Sequence, residues 1–79
     1  MMHPTDRKLG INASVRVSNN KIYSLELIKN QYGLSWCEED RGYIHQVISC
    51  KSLNVGAAIE EVKHYFVKYK DSLIIDDRR

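Results

Sequence analysis

The sequence predicts an α+β fold: an antiparallel β-sheet of about four strands, two consecutive hairpins, packed on one face by a single C-terminal α-helix. Three observations predict it. Apolar and polar residues alternate from Ile11 through the segment around Leu27, the period of two that marks a half-buried strand. Turn signals recur at Asn19-Asn20, at Asn30-Gln31-Tyr32-Gly33 and at Asp40-Arg41-Gly42. Beyond Ser52 the apolar spacing changes to steps of three and four, which is helical. Successive strands followed by a helix belong to the α+β class.

In the first hairpin, Ile11, Ala13, Val15 and Val17 share one side of a strand, and Tyr23, Leu25 and Leu27 share one side of the next. A two-residue loop at Asn19-Asn20 would send these sets to opposite faces. A three-residue loop, Ser18-Asn19-Asn20, pairs Val15 with Tyr23, Ala13 with Leu25 and Ile11 with Leu27, with Asn20 left-handed at the last loop position. The three-residue loop is therefore expected.

The second hairpin takes residues 34–39 and 43–50. Gly42 at the third loop position points to a type I turn closed by a bulge. That register sets Glu39 opposite Tyr43, Glu38 opposite Ile44, Trp36 opposite Gln46 and Leu34 opposite Ile48. One face then carries Leu34, Trp36, Ile44 and Ile48, and the other carries Ser35, Cys37, Tyr43, His45 and Val47.

Ser52 is expected as the helix N-cap. Val55, Ile59, Val62, Phe66 and Tyr69 form the apolar stripe, flanked by Ala58 and Tyr65. Glu60 and Glu61 precede Lys63, Lys68 and Lys70, the order that suits the helix dipole. Asp71-Ser72 ends the helix. Leu73-Ile74-Ile75 should return to the core or form a short edge strand. Residues 1–10 read as a flexible leader, 11–75 as the single domain and 76–79 as a frayed tail.

With 79 residues, the chain buries about 60–65% of its unfolded surface, enough for one thin core and not for a deep substrate cavity. Twelve basic residues against ten acidic give a net charge of +2, far from the basic stripe of an obligate nucleic-acid binder. No apolar run approaches the roughly 18 residues of a membrane span. The first ten residues lack the apolar segment of a secretory signal, and two cysteines are too few for a disulfide framework. Asn12-Ala13-Ser14 matches a glycosylation sequon by chance in that setting. The cytoplasm is the expected compartment.

No catalytic motif rises above background. Cys37 and His45 fall opposite each other in the expected register, and a thiol beside an imidazole can become a nucleophile. Yet no third group orients the imidazole and both sit mid-strand, so ordinary packing is the favoured reading. The pool of metal donors (Cys37, Cys50, His3, His45, His64) has no CxxC or HxxxH spacing, so no metal and no cofactor is expected. Glu38, Glu39 and Asp40 read as a solvated hairpin end. Gly56-Ala57-Ala58 lacks the Lys and the glycine pattern of a phosphate loop.

With one face sealed by the helix, the other is left open, and its Ile22, Ile28, Tyr43 and Val47 are more apolar than a solvated face requires. The function expected is therefore a small non-catalytic protein-binding or regulatory module, self-associating, that acts through the uncovered sheet face. Ile22, Ile28, Tyr43 and Val47 would anchor a partner, and Arg16 and His45 would set its orientation. The partner is another protein or a second copy, and no small-molecule substrate is evident. The alternative is a nucleic-acid-binding domain that uses Arg16, Lys51, Lys63, Lys68 and Lys70.

Overall fold

The computed structural model describes residues 6–79; His3 and the first half of the expected leader lie outside the described residues. Four strands run in succession: β1 (Arg7–Ser18), β2 (Lys21–Asn30), β3 (Gly33–Asp40) and β4 (Tyr43–Ser49). The helix α1 (Val55–Tyr65), a 3₁₀ segment (Val67–Ser72) and a last strand, β5 (Ile74–Asp77), follow. The sheet has five strands in the order β4-β3-β2-β1-β5, with every pairing antiparallel. The class is α+β as expected, with one strand more than the four read from the sequence. That strand comes from the C-terminal end, which pairs with the free edge of β1. β1 begins at Arg7 and β5 runs to Asp77, so strand pairing reaches into both stretches assigned to leader and tail.

The first hairpin reaches the expected register by a different route. Asn19-Asn20 form a two-residue turn that closes Ser18 on Lys21, and a bulge between Arg16 and Ser18 then moves the pairing by one. Val15 therefore meets Tyr23, and Ala13 meets Leu25. Asn20 is not left-handed; among the described non-glycine residues only Arg41 has positive φ. The bulge supplies the extra residue that the sequence assigned to the loop. A second irregularity in β1 lies between Lys8 and Asn12, where Gly10 sits at φ 75. Its carbonyl accepts a 2.8 Å bond from the Arg78 N–H, which ties the chain's end to β1.

The second hairpin departs from expectation. Arg41 (φ 52) and Gly42 (φ 83) form a two-residue turn that closes Asp40 on Tyr43, and positive φ at both positions is the type I′ pattern. Moving the pairing by one residue turns the outer half of β4 over. Glu39 faces Ile44, Glu38 faces His45 and Cys37 faces Gln46. A bulge at Val47 restores the phase, so Ile48 meets Trp36 and returns to the core.

Asn54, not Ser52, caps α1: its side chain accepts from the Ala57 N–H, while Ser52 Oγ accepts from the Asn54 N–H. The expected stripe holds through Ala58, Val62 and Phe66, all buried. It ends there because the chain tightens into 3₁₀ geometry, with the Tyr69 N–H bonded to the Phe66 carbonyl. Three residues per turn no longer return Tyr69 to the same side, and its side chain is exposed. The helix layer seals one face of the sheet over Ile11, Ala13, Val15, Leu25, Leu27, Leu34 and Trp36. At the centre, the Trp36 indole N–H donates to the Ala58 carbonyl at 2.9 Å. Ala58 has almost no side chain, which lets the helix backbone come that close to the sheet.

Candidate binding face on the open side of the sheet

The opposite side of the sheet carries the even-numbered residues of β1 and β2. The β1–β2 register places Arg16 beside Ile22, Ser14 beside Ser24 and Asn12 beside Glu26. β3 adds Cys37 and Glu39, and the shifted register of β4 adds Ile44 and Gln46. β5 contributes Ile74, opposite Ser14, and Asp76, opposite Asn12. These strands surround a half-open cleft of about 470 Å³ that extends from Glu39 and Ile44 at one side to Ile74, Asp76 and Arg78 at the other.

The floor of the cleft is apolar and its rim is charged. Ile28 is 3% exposed and Cys37 8%, although no helix lies over them. Around them Glu26 pairs with Lys8 at 3.6 Å and Asp76 with Arg78 at 2.9 Å. Both pairs are partly exposed, so each adds on the order of 1 kcal/mol or less to stability. They place fixed charge of both signs at the rim. Farther out, Ile22 and Ile74 are 54% and 67% exposed. Such residues cost water-ordered surface unless another molecule covers them.

The thiols of the sheet and its margin are held in their neutral form. Burial pushes the Cys37 thiol up from its ordinary range, with the charges of Asp6 and Glu26 acting in the same direction. Cys50 is pushed up to about 11 by burial first, then by Glu61 and Cys37. Thiols held protonated at neutral pH are poor nucleophiles. The expected Cys37–His45 pair does not form, because His45 opposes Glu38 and lies on the helix side of the sheet. Strand alternation likewise sends Glu38 and Glu39 to opposite sides. Among the described residues no group of three His, Cys, Asp or Glu is placed to hold a metal ion.

Of the six residues expected to bind protein, the structure brings Arg16, Ile22 and Ile28 to the open side. Ile28 is floor rather than exposed anchor, and Arg16 and Ile22 stand near the turn at one end. Tyr43 and His45 are corrected to the helix side by the two-residue turn, where both remain exposed. Val47, the bulged residue, packs against the core. Ile44, Ile74, Asp76 and Arg78 belong to the face and were not foreseen. Period-two spacing of Ile74, Asp76 and Arg78 is visible in the sequence, but their neighbour, β1, is not.

The residues expected for nucleic acid are divided. Lys63 pairs with Glu60 at 3.5 Å on α1, and Lys68 and Lys70 lie on the 3₁₀ segment. The Lys51 N–H donates to the Glu61 carboxylate near the helix start. These four belong to the helix layer, while Arg16 is on the other side of the sheet. No helix among the described residues is long and apolar enough to cross a membrane. No family model matches the chain, and neither a curated protein nor a solved structure matches it.

Proposed function

We propose that this chain is a small non-catalytic protein-binding or regulatory module whose working surface is the open face of its sheet. The observation that carries this reading is the cleft between β5 and β4: an apolar floor at Ile28, isoleucines at Ile44 and Ile74 along its sides, and a rim of charge pairs, with exposed Ile22 farther out on the same face. An apolar centre ringed by polar groups is the anatomy of a protein interface. A half-open cleft across the strands suits an extended segment, whose alternate side chains reach the floor. The face balances Glu26, Glu39 and Asp76 against Lys8, Arg16 and Arg78, and the lysines expected for nucleic acid lie in the helix layer, so no basic stripe forms along the cleft.

The reading is tested by selecting peptides from a random displayed library against the whole chain, then measuring the same peptides against two variants. Ser24 is exposed at the centre of the face, so Ser24→Arg should weaken binding by about tenfold or more, a change of roughly 1.4 kcal/mol. Lys68→Glu, in the helix layer, should leave binding unchanged. Peptides that respond to Lys68→Glu and ignore Ser24→Arg would place the working surface elsewhere.

A further inference from the structure

We infer that the exposed edge of β4 pairs antiparallel with β4 of a second copy, which makes one continuous sheet and joins the two open faces into a longer trough. The two edges of this sheet are built differently. β5 is short and ends in Asp76 and Asp77, each held by an arginine of the tail at 2.9 and 2.8 Å. Charge on a short strand is a usual means of keeping an edge from pairing. β4 reads Tyr-Ile-His-Gln-Val-Ile-Ser: seven residues without a formal carboxylate, Lys, Arg or Pro, and rich in strand formers. A second copy arriving there meets no fixed like charge.

The bonding phase of this edge also suits a two-fold partner. In an antiparallel ladder, residues alternate between bonding their neighbour and pointing N–H and C=O away from it. Counting from the Asp40–Tyr43 pair that closes the two-residue turn, Ile44 and Gln46 point outward and His45 inward. The bond from the Cys50 N–H to the Leu34 carbonyl gives the same phase from the far end, once the bulge at Val47 is counted. A two-fold axis at His45 therefore sets Ile44 of one copy against Gln46 of the other, twice, with every outward group of both residues bonded. The contact is isologous, so it closes at two copies. Ile44 and Gln46 lie on the open side, which places the seam at the margin of the proposed binding face. The inference rests on the proposed use of the open face and assigns a route to the self-association that the sequence leads one to expect.

Sedimentation equilibrium over a concentration series, with amide hydrogen exchange at both ends of the series, tests this. The wild-type chain should dimerise, and the Ile44 and Gln46 amides should exchange more slowly as concentration rises. Gln46→Pro removes an outward donor, and Pro is tolerated at an edge whose N–H faces solvent. His45→Lys puts like charges across the axis while leaving an exposed position exposed. Each should weaken the dimer by about tenfold or more, with unchanged circular dichroism. Ser24→Arg should leave it intact. A wild-type chain that is monomeric at millimolar concentration overturns the inference, as does a dimer lost with Ser24→Arg and kept with both edge variants. Peptide binding to the open face is read on the same His45→Lys protein, so failure of the edge and failure of the face are separate results.

Discussion

The indole N–H of Trp36 and the backbone carbonyl of Ala58 are joined by a buried 2.9 Å hydrogen bond that spans 22 residues of sequence. Trp36 is fully buried, and Ala58, Val62 and the strand residues Leu27 and Leu34 belong to the same core cluster. This bond ties α1 to β3 on the side of the sheet where the apolar strand residues gather into the core. Trp36→Phe removes the donor and leaves a void where the second ring was. The expected loss is about 2–3 kcal/mol, from the bond and the unfilled volume together. Urea unfolding should show a lower midpoint with the slope unchanged. An unaltered midpoint would mean that the indole does not hold the two layers together.

Positions on the helix layer should differ sharply in cost. Val62, on the inner side of α1, is fully buried in the core, whereas Val67, just past the end of the helix, is 58% exposed. Val62→Ala should cost about 2 kcal/mol, and Val67→Ala less than about 0.5 kcal/mol. Equal costs, read by thermal unfolding, would contradict the break of the apolar stripe after Phe66.

The partition of the sheet was legible in sequence for three strands and not for the fourth. Ile11 through Leu27 alternate so regularly that a single register gathers the apolar set, and the structure finds that register by a bulge where a longer loop was expected. The same ambiguity harmed the second hairpin. Asp40-Arg41-Gly42 fits a three-residue loop with glycine last, and it also fits a two-residue turn with Arg41 left-handed. Tyr43, Ile44 and His45 offer no apolar contrast strong enough to choose between them. One residue of register therefore moved Tyr43 and His45 off the face and brought Ile44 onto it. For β5, a short edge strand at Leu73-Ile74-Ile75 was one of the two outcomes expected, and the structure forms it over Ile74–Asp77; its partner was not legible, because a strand some sixty positions earlier leaves no local signature.

That turn yields its own test. Arg41 holds φ 52 without the freedom of glycine, and a left-handed non-glycine residue costs roughly 1–2 kcal/mol, less for Asn. Arg41→Asn should therefore stabilise the domain by about 0.5–1 kcal/mol, a rise of a few degrees in Tm for a domain of this size. Gly42→Ala, at φ 83, should destabilise it by about 1 kcal/mol. If both variants unfold with the wild type, the type I′ turn is not the one the protein uses.

The cysteines predict an alkaline weakness. Cys50 has its pKa raised from 9.0 to about 11 in the folded chain, and Cys37 is raised as well. For a thiol the raised value means that the folded state holds its proton longer than the unfolded state. The stabilisation from the neutral thiol is thus fully present below pH 9 and is lost as pH rises towards 11. Cys50→Ala should flatten that decline between pH 9 and 11 relative to its own stability at pH 7. In parallel, iodoacetamide at pH 8 should label both thiols far more slowly in the folded chain than in urea. Fast labelling of the folded protein would mean that the thiols are not shielded as described.

The open face as working surface is tested most directly by mapping backbone amide shifts as a library-selected peptide is titrated onto the labelled protein. The account predicts that the changes gather at Ser14, Ser24, Glu26, Cys37 and Ile74, with Ala58, Val62 and the 3₁₀ segment quiet. Changes centred on Tyr65, Val67 and Tyr69, with the open face silent, would contradict it.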